Sequence, residues 1–402
     1  MPPANALTMN QVLFPGLDTQ PGTRSPFTIA ISPELAALLT ANAPVALGVS
    51  GGKDSSAMSL AVNAHLDEIG HSGQRILIHS DLGRAEWRES LPMCQKLAER
   101  LALELVVVRR QAGDLLDRWQ VRWHNNCQRY ANLETVCLVL PWSTPAMLFC
   151  RSELKAAIIS RELIQRFPGQ AILSATGIRR EESTARSQAP VSQAQLRLTS
   201  KTSGTSGQDW HPIVTWTRSE VLAYHQVREF PLHPGYARGM SRISCAFCIM
   251  GSAGDLAVSA TCEENQEVYR EQVDLEILSS FAFQSGKWLG DVAPHLLSQR
   301  QQRGLVEAKR RAALREAAEK RVPTHLKFSK GWPTAMPTPA EAQLLAEVRC
   351  TVADILELSI HYRDGESVQG RYAQLMALQK AKKQDQQIVV PTSPTAMLFD
   401  FG

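Results

Sequence analysis

Two stretches of this chain carry residues whose type and spacing can do chemistry, and the first lies near the front. The apolar run Val45-Ala46-Leu47-Gly48-Val49 breaks into Ser50-Gly51-Gly52-Lys53-Asp54-Ser55 and then into a helical pattern. Without a Cβ, Gly51 and Gly52 reach backbone angles closed to other residues, so successive amides can converge on an anion at the helix start. Lys53 adds a mobile positive charge, while Asp54 and Ser55 can cap the helix or reach a magnesium ion carried by a nucleotide. This is phosphate chemistry. The spacing excludes both the Walker loop and the Gly-x-Gly-x-x-Gly dinucleotide turn. The competing reading is a Gly-rich turn that holds no ligand.

The second stretch follows another expected strand, Ala171 to Thr176, and reads Gly177-Ile178-Arg179-Arg180-Glu181-Glu182-Ser183-Thr184-Ala185-Arg186. Guanidinium groups suit bidentate capture of phosphate or sulfate oxygens and stay charged at any physiological pH. Glu182 is placed to orient Arg179 or Arg186. An isolated Arg-Arg-Glu-Glu is more often an exposed helix start laced with ion pairs, but a position beyond a strand end favours a ligand. A third set is made of thiols. Cys245 and Cys248 form a Cys-x-x-Cys knuckle able to share one metal centre, and Cys262 lies within loop reach. Cys94 and Cys350 stand alone and read as small buried hydrophobes.

These residues need a scaffold that brings strand ends together. Arg75 to Ser80 reads as a second buried strand ending at Asp81, followed by a helix over Trp87 to Leu101 and a strand over Leu103 to Val108. Such a β-α-β-α-β array implies a doubly wound, mainly parallel α/β sheet. Ligands then sit beyond the carboxyl ends of the strands, which puts Ser80 and Asp81 near the Ser50 to Ser55 turn. At 402 residues and 44% hydrophobic, the chain can bury a full core, and its small formal charge of +4 does not by itself argue for a nucleic-acid partner. Eight cysteines are too sparse for a disulfide scaffold. No basic leader and no apolar segment of bilayer length is evident, so a cytoplasmic location without membrane contact is expected.

The Ser-Gly-Gly-x-Asp-Ser turn resembles the PP-loop of the adenine nucleotide alpha-hydrolases. The Gly-x-Arg-x-x-Glu-Ser-x-x-Arg pattern from Gly177 is similar to one in the phosphoadenosine phosphosulfate (PAPS) reductase family of that superfamily. Three further elements agree in order: Trp210-His211-Pro212-Ile213-Val214-Thr215-Trp216 before a helix from Arg218, Cys150-Arg151-Ser152-Glu153-Leu154-Lys155, and Ser244-Cys245-Ala246-Phe247-Cys248. The resemblance covers roughly residues 40 to 285. It implies ATP with Mg2+ as ligand, bound by Ser50, Gly51, Gly52, Lys53, Asp54, Ser55, Ser80, Asp81, Gly177, Arg179 and Arg180. Lys53, Asp54, Arg179 and Arg186 would carry catalysis, with the metal on Asp54 first and Asp81 second. It also implies a 4Fe-4S cluster on Cys150, Cys245 and Cys248, with Cys262 as the fourth ligand. Cys127 or Cys137 are alternatives for that fourth place, and Zn2+ is the alternative metal. This chain has Phe149-Cys150 where the assimilatory cluster-bearing reductases have a Cys-Cys pair.

PAPS and adenylyl-sulfate reductases carry a nucleophilic Cys in a C-terminal Glu-Cys-Gly-Leu-His motif, and this sequence shows no cysteine after Cys350. The expectation is therefore cleavage of ATP to AMP and pyrophosphate, with AMP passed to water or an acceptor. Sulfonucleotide reduction and a purely regulatory nucleotide site are the alternatives. Relatives similar in layout, the ATPases of DNA phosphorothioation and reductase-like proteins of phage or CRISPR loci, imply a setting in sulfur transfer or nucleic-acid modification and defence.

From Arg300 through Lys330 a helical stretch is rich in cations: Arg303, Lys309, Arg310, Arg311, Arg315, Lys320, Arg321, Lys327 and Lys330. It reads either as a nucleic-acid or nucleoprotein surface or as a solvated helix with pairs such as Glu316 to Lys320. Prolines at 323, 333, 337 and 339 precede a final helical pair, 340–358 and 365–383. The expected division is an extended segment over 1–28, the nucleotide-binding domain with its Cys-rich site over 29–290, a basic helical appendage over 291–384 and a tail over 385–402. Within that tail Thr395 to Phe401 could dock, and homo-oligomerisation is left open.

Overall fold

A computed structural model describes residues 27–388. The chain forms two compact units interleaved along the sequence: the first takes the chain to Ser80, then Glu89–Val108 and Ile159–Pro234. The second takes Asp81–Arg88, Arg109–Ile158 and the chain from Gly235 on. The expected N-terminal segment up to residue 26 and the docking peptide in the tail lie outside the described residues.

The first unit is built around a six-stranded sheet. Its strands are β1 (Val45–Val49), β2 (Arg75–Asp81), β3 (Glu104–Arg109), β4 (Ala171–Ala175), β5 (Ser192–Ala194) and β6 (Ser206–Trp210), in the order β3-β2-β1-β4-β6-β5. β1 pairs in parallel with β2 and β4, β4 in parallel with β6, and β5 closes the edge antiparallel to β6. β1 and β2 read as near-continuous apolar runs because they are covered on both faces, as parallel strands are. The α/β class and mainly parallel sheet expected from the sequence are what the chain forms. Strand order reverses between β1 and β4.

Helices pack on this sheet with Leu35, Leu47, Met58, Leu60, Leu173, Trp210 and Val221 in one core. The helix Lys53–Glu68 leaves the turn after β1. Arg218–Val227 starts at a capping box in which Thr217 and Glu220 satisfy each other's backbone amides. The helix expected from Trp87 begins later, at Ser90. Glu86 instead forms an antiparallel bridge with Cys245, and Trp87 is buried as a core residue.

The second unit is helical, and Asp114, Ser298 and Thr338 start Leu115–Ala131, Gln299–Glu319 and Pro339–Leu356 with capping boxes. The last helix is Gly365–Ile388. Trp119, Trp142 and Phe283 meet edge to face at centroid distances of 5.7, 5.9 and 5.4 Å, an arrangement the ring quadrupoles favour. The fully buried Arg349 donates to the carbonyls of Tyr130 (2.8 Å) and His361 (3.2 Å). It closes the C-terminal end of Leu115–Ala131, where a cation complements the helix dipole.

Candidate functional site

The site is assembled where β1 and β4 release the chain. Ser50 donates its amide to the hydroxyl of Ser55 (3.3 Å), and that hydroxyl donates to the Gly52 carbonyl (3.0 Å), so the turn is tied across its own neck. Gly51 has φ +72°, and a Cβ there would lie 2.7 Å from the Ser90 carbonyl oxygen, so only glycine fits. Gly52, in extended conformation, is the N-cap and has no side-chain cap bond. The expectation that Asp54 or Ser55 caps the helix is thereby corrected: both lie inside its first turn, and Ser55 serves the loop instead. The first amides of Lys53–Glu68 have no intrahelical partner and carry the positive end of the helix dipole.

The loop after β4 lies directly against this helix start. A Cβ on Gly177 would come within 2.6 Å of the Asp54 carbonyl oxygen and 2.9 Å of the Ser55 nitrogen. That close approach brings Arg179 to Asp54. The Arg179 Nε donates to Asp54 Oδ1 at 2.7 Å, and Lys53 Nζ holds Asp54 Oδ2 at 2.6 Å. Lys53 and Arg179 are both only 4% exposed, so two buried cations share one carboxylate. Burial opposes the charge on Arg179, but Asp54 together with Glu182 and Glu181 outweighs it and holds the guanidinium above its ordinary value. Glu181 completes the balance on the Arg179 side, so a ligand bearing several negative oxygens would take these cations by exchange with the carboxylates.

The remaining expected residues are distributed differently. Glu181, not Glu182, takes the Arg179 side chain, at 2.6 Å from Nη1, and also accepts the Arg218 amide at 2.6 Å. Glu182 accepts the Arg179 amide at 3.0 Å and pairs with Arg186. The exposed Arg180 donates Nε to the Ala189 carbonyl at 2.9 Å. Ser80 is buried near the end of β2. Asp81, counted with the second unit, accepts the Gly83 amide at 2.7 Å and Arg109 Nε at 3.0 Å.

One residue was missed by sequence reasoning. The buried His225 places Nε2 2.8 Å from the Lys53 carbonyl and Nδ1 3.0 Å from the Phe230 carbonyl, bracing the first residue of the helix Lys53–Glu68. A lone histidine on a helix carries no local signal of such a role; only the capping box at Thr217 that starts the helix is legible.

Cys150, Cys245, Cys248 and Cys262 lie in the second unit, and none of the described cysteines forms a disulfide. The knuckle is fixed by Ala246 donating its amide to Ala85 O (2.8 Å) and Gly251 donating to Cys248 O (2.8 Å); the Met250 amide faces Cys248 Sγ at 3.4 Å. Cys150 lies in a short helical segment, Phe149–Arg151, that runs into a π-helical turn at Ser152–Ala156. Burial pushes the Cys245 thiol up; Cys248, Glu86 and Cys150 push the same way and the Lys155 ammonium opposes them. Three soft sulfurs, two of them acting on the third, fit a thiolate-bound centre in kind. Among the described residues, however, no group of three or more His, Cys, Asp or Glu side chains is arranged to hold a metal ion. Cys262 is buried, with Sγ 3.6 Å from the Val258 carbonyl. Burial pushes Cys127 and Cys137 up to about 11.

In the basic stretch, Lys309 pairs with Asp291, Arg310 with Glu307, Arg311 with Glu307 and Glu357, and Arg321 with Glu347. Arg315 is buried over the Phe281 ring, 3.4 Å from its centroid, and takes Glu316 in place of the Lys320 expected to do so. Much of the positive excess is therefore answered within the fold. No described helix is long and apolar enough to cross a membrane.

The model of the phosphoadenosine phosphosulfate reductase domain matches residues 44–250, just over half of the chain. No curated protein matches. Among solved structures, a phosphoadenylyl-sulfate reductase from Candida auris in a phosphate complex is 14% identical, with 54% of this chain and 97% of that one covered at a TM-score of 0.33. The U34-tRNA thiolase NcsA from Methanococcus maripaludis, solved with its [4Fe-4S] cluster, is 17% identical over 59% of this chain and 70% of that one, at 0.36. An FMN adenylyltransferase from Candida glabrata, in complex with FAD and inorganic pyrophosphate, is 13% identical over 51% and 55%, at 0.33.

Proposed function

This chain belongs to the phosphoadenosine phosphosulfate reductase domain family, and we propose that it is an enzyme that binds ATP with Mg2+ and cleaves it to AMP and pyrophosphate, passing AMP to water or to an acceptor in sulfur transfer or nucleic-acid modification. The observation that carries this reading is the sharing of Asp54 by the buried Lys53 and Arg179 at a helix start with no side-chain cap. In the hydrolytic case water attacks the α-phosphorus, the bond to the bridging oxygen breaks, and pyrophosphate leaves with that electron pair. Lys53 and Arg179 would meet the growing charge on the leaving group, with Arg186 reaching it from the same loop. Asp54 would take the magnesium ion by giving up one of its two cations to the phosphates. The turn amides would hold the polyphosphate in place.

For the thiols the reading is a centre held by Cys150, Cys245 and Cys248 with Cys262 as fourth ligand, a 4Fe-4S cluster or in its place zinc. The support is the donor chemistry and the electrostatic influence of Cys248 and Cys150 on Cys245. No step of nucleotide cleavage is assigned to it.

The test is to incubate anaerobically purified protein with ATP labelled at the α-phosphate and Mg2+. Equal release of AMP and pyrophosphate is expected. Intact ATP despite binding would overturn the enzymatic reading in favour of a nucleotide-gated regulatory subunit, and sulfite released from PAPS with thioredoxin would favour reduction, the reaction for which the family is named. Absorption near roughly 400 nm in the same preparation tests the cluster; a colourless sample with stoichiometric zinc would redirect it.

A further inference from the structure

His225 meets two carbonyl oxygens at once. Its Nε2 lies 2.8 Å from the Lys53 carbonyl at the start of the helix Lys53–Glu68, and its Nδ1 lies 3.0 Å from the Phe230 carbonyl, just past its own helix. A carbonyl oxygen only accepts, and a neutral imidazole has one N–H, so a neutral ring would press a bare lone pair against one of the two oxygens. At 3% exposure the residue has little water to relieve that repulsion. The imidazolium, with a donor on each nitrogen, satisfies both oxygens.

The position of the ring favours that charge. His225 stands in the last turn of Arg218–Val227, where the negative end of the helix dipole attracts a cation. The helix it contacts brings Lys53 and Asp54, with Arg179 held on Asp54. Its own stretch brings Tyr224, Arg228 and Glu229, while Arg218 and Glu220 stand at the far end of its helix. From the helix Ser90–Leu101, Arg100 donates Nη2 to the Arg228 carbonyl at 3.5 Å. The Lys53 carbonyl also shares a rigid peptide plane with the Asp54 amide, one of the helix-start amides without an intrahelical partner. A donor on that carbonyl fixes where this N–H points, and a charged donor polarises it more strongly than a neutral one.

We propose that His225 is a positioning residue of the nucleotide site and acts as an imidazolium, clamping the Lys53 carbonyl so that the Asp54 amide is aimed at the polyphosphate. The proposal rests on the reading of that turn as a polyphosphate site. The experiment takes the full chain, labelled with 15N-histidine, through the pH range in which histidine side chains change charge. It reads the ring nitrogens by NMR and the affinity for pyrophosphate by calorimetry at each pH. The His225 signals are identified by their absence from His225→Gln and independently from His225→Asn, so that one poorly folding variant does not end the test. At the acid end, hydrogen on both His225 nitrogens is expected, with an affinity about 3- to 10-fold above that of the variants. That difference should close as the ring gives up one hydrogen, whereas a merely structural role would keep it. A bare His225 nitrogen at the acid end, equal affinity in the variants there, or a difference that persists once the ring is neutral would overturn the proposal. Failure of both pyrophosphate and ATP to bind at any pH, with two hydrogens on the ring, would overturn the nucleotide reading and the positioning role with it.

Discussion

Replacing Gly177 with alanine probes the contact on which the proposed nucleotide site is built. The added Cβ would stand 2.6 Å from the Asp54 carbonyl oxygen, 2.7 Å from its carbon and 2.9 Å from the Ser55 nitrogen, all backbone atoms that cannot rotate aside. Unstrained contacts open at about 3.5 Å, so the loop after β4 and the start of the helix Lys53–Glu68 must part by about 0.6 to 0.9 Å. Gly177 is not among the positive-φ glycines, so alanine is sterically wrong there without being conformationally wrong. Overpacking of this kind costs about 1 to 3 kcal/mol of stability. Because the displacement separates Arg179 from Asp54 and Lys53, the loss in ATP turnover should be on the order of 10- to 100-fold. Urea denaturation, ATP calorimetry and AMP release measure the three quantities. Gly370→Ala is the control: nothing lies within 4 Å of that position in the helix Gly365–Ile388, and the change should stabilise by about 0.5 to 1 kcal/mol. Wild-type ATP affinity and turnover in Gly177→Ala would refute the reasoning.

Asp54→Asn removes the carboxylate shared by two buried cations and should lower stability by about 2 kcal/mol. Pyrophosphate should raise its melting temperature more than it raises that of the unchanged chain, because the ligand then supplies the missing negative charge. Arg349→Met leaves the buried carbonyls of Tyr130 and His361 without their donor and should cost about 3 kcal/mol in chemical denaturation. Glu276 accepts amides from Phe283, Leu289 and Gly290, yet burial pushes its carboxyl up to about 7 from the ordinary 4.5. Above pH 4.5 the unfolded chain has released this proton while the folded chain keeps it, so stability should fall as pH rises to 7, by up to about 3 kcal/mol. In Glu276→Gln that slope should vanish from a pH series of urea melts.

The sheet and the glycine turn after β1 are legible because the signals are local. An apolar run, two glycines and a helical pattern follow one another from Val45 to Glu68, and the same grammar marks β4 and Gly177. Helix starts at Thr217, Ser298 and Thr338 are likewise set by residues three apart. What escaped depends on partners far along the chain. Glu86 pairs with Cys245 and delays a helix to Ser90. Asp291, Glu347 and Glu357 answer cations in the basic stretch. Glu181 outranks Glu182 for the Arg179 side chain because the Arg218 amide fixes its carboxylate, and His225 reaches Lys53 across the fold. The interleaving of two compact units has no local signature at all.

Central to the account is that the amides after β1 hold a polyphosphate with Lys53 and Arg179 closing on it. A crystal structure of the chain with Mg2+ and an ATP analogue carrying a methylene bridge between the α and β phosphorus atoms tests this directly. The account predicts phosphate oxygens on the amides of Gly51, Gly52 and Lys53, with at least one of the two cations moved from Asp54 to the ligand. A turn left vacant at saturating analogue, with the Asp54 pairs unchanged, would contradict it.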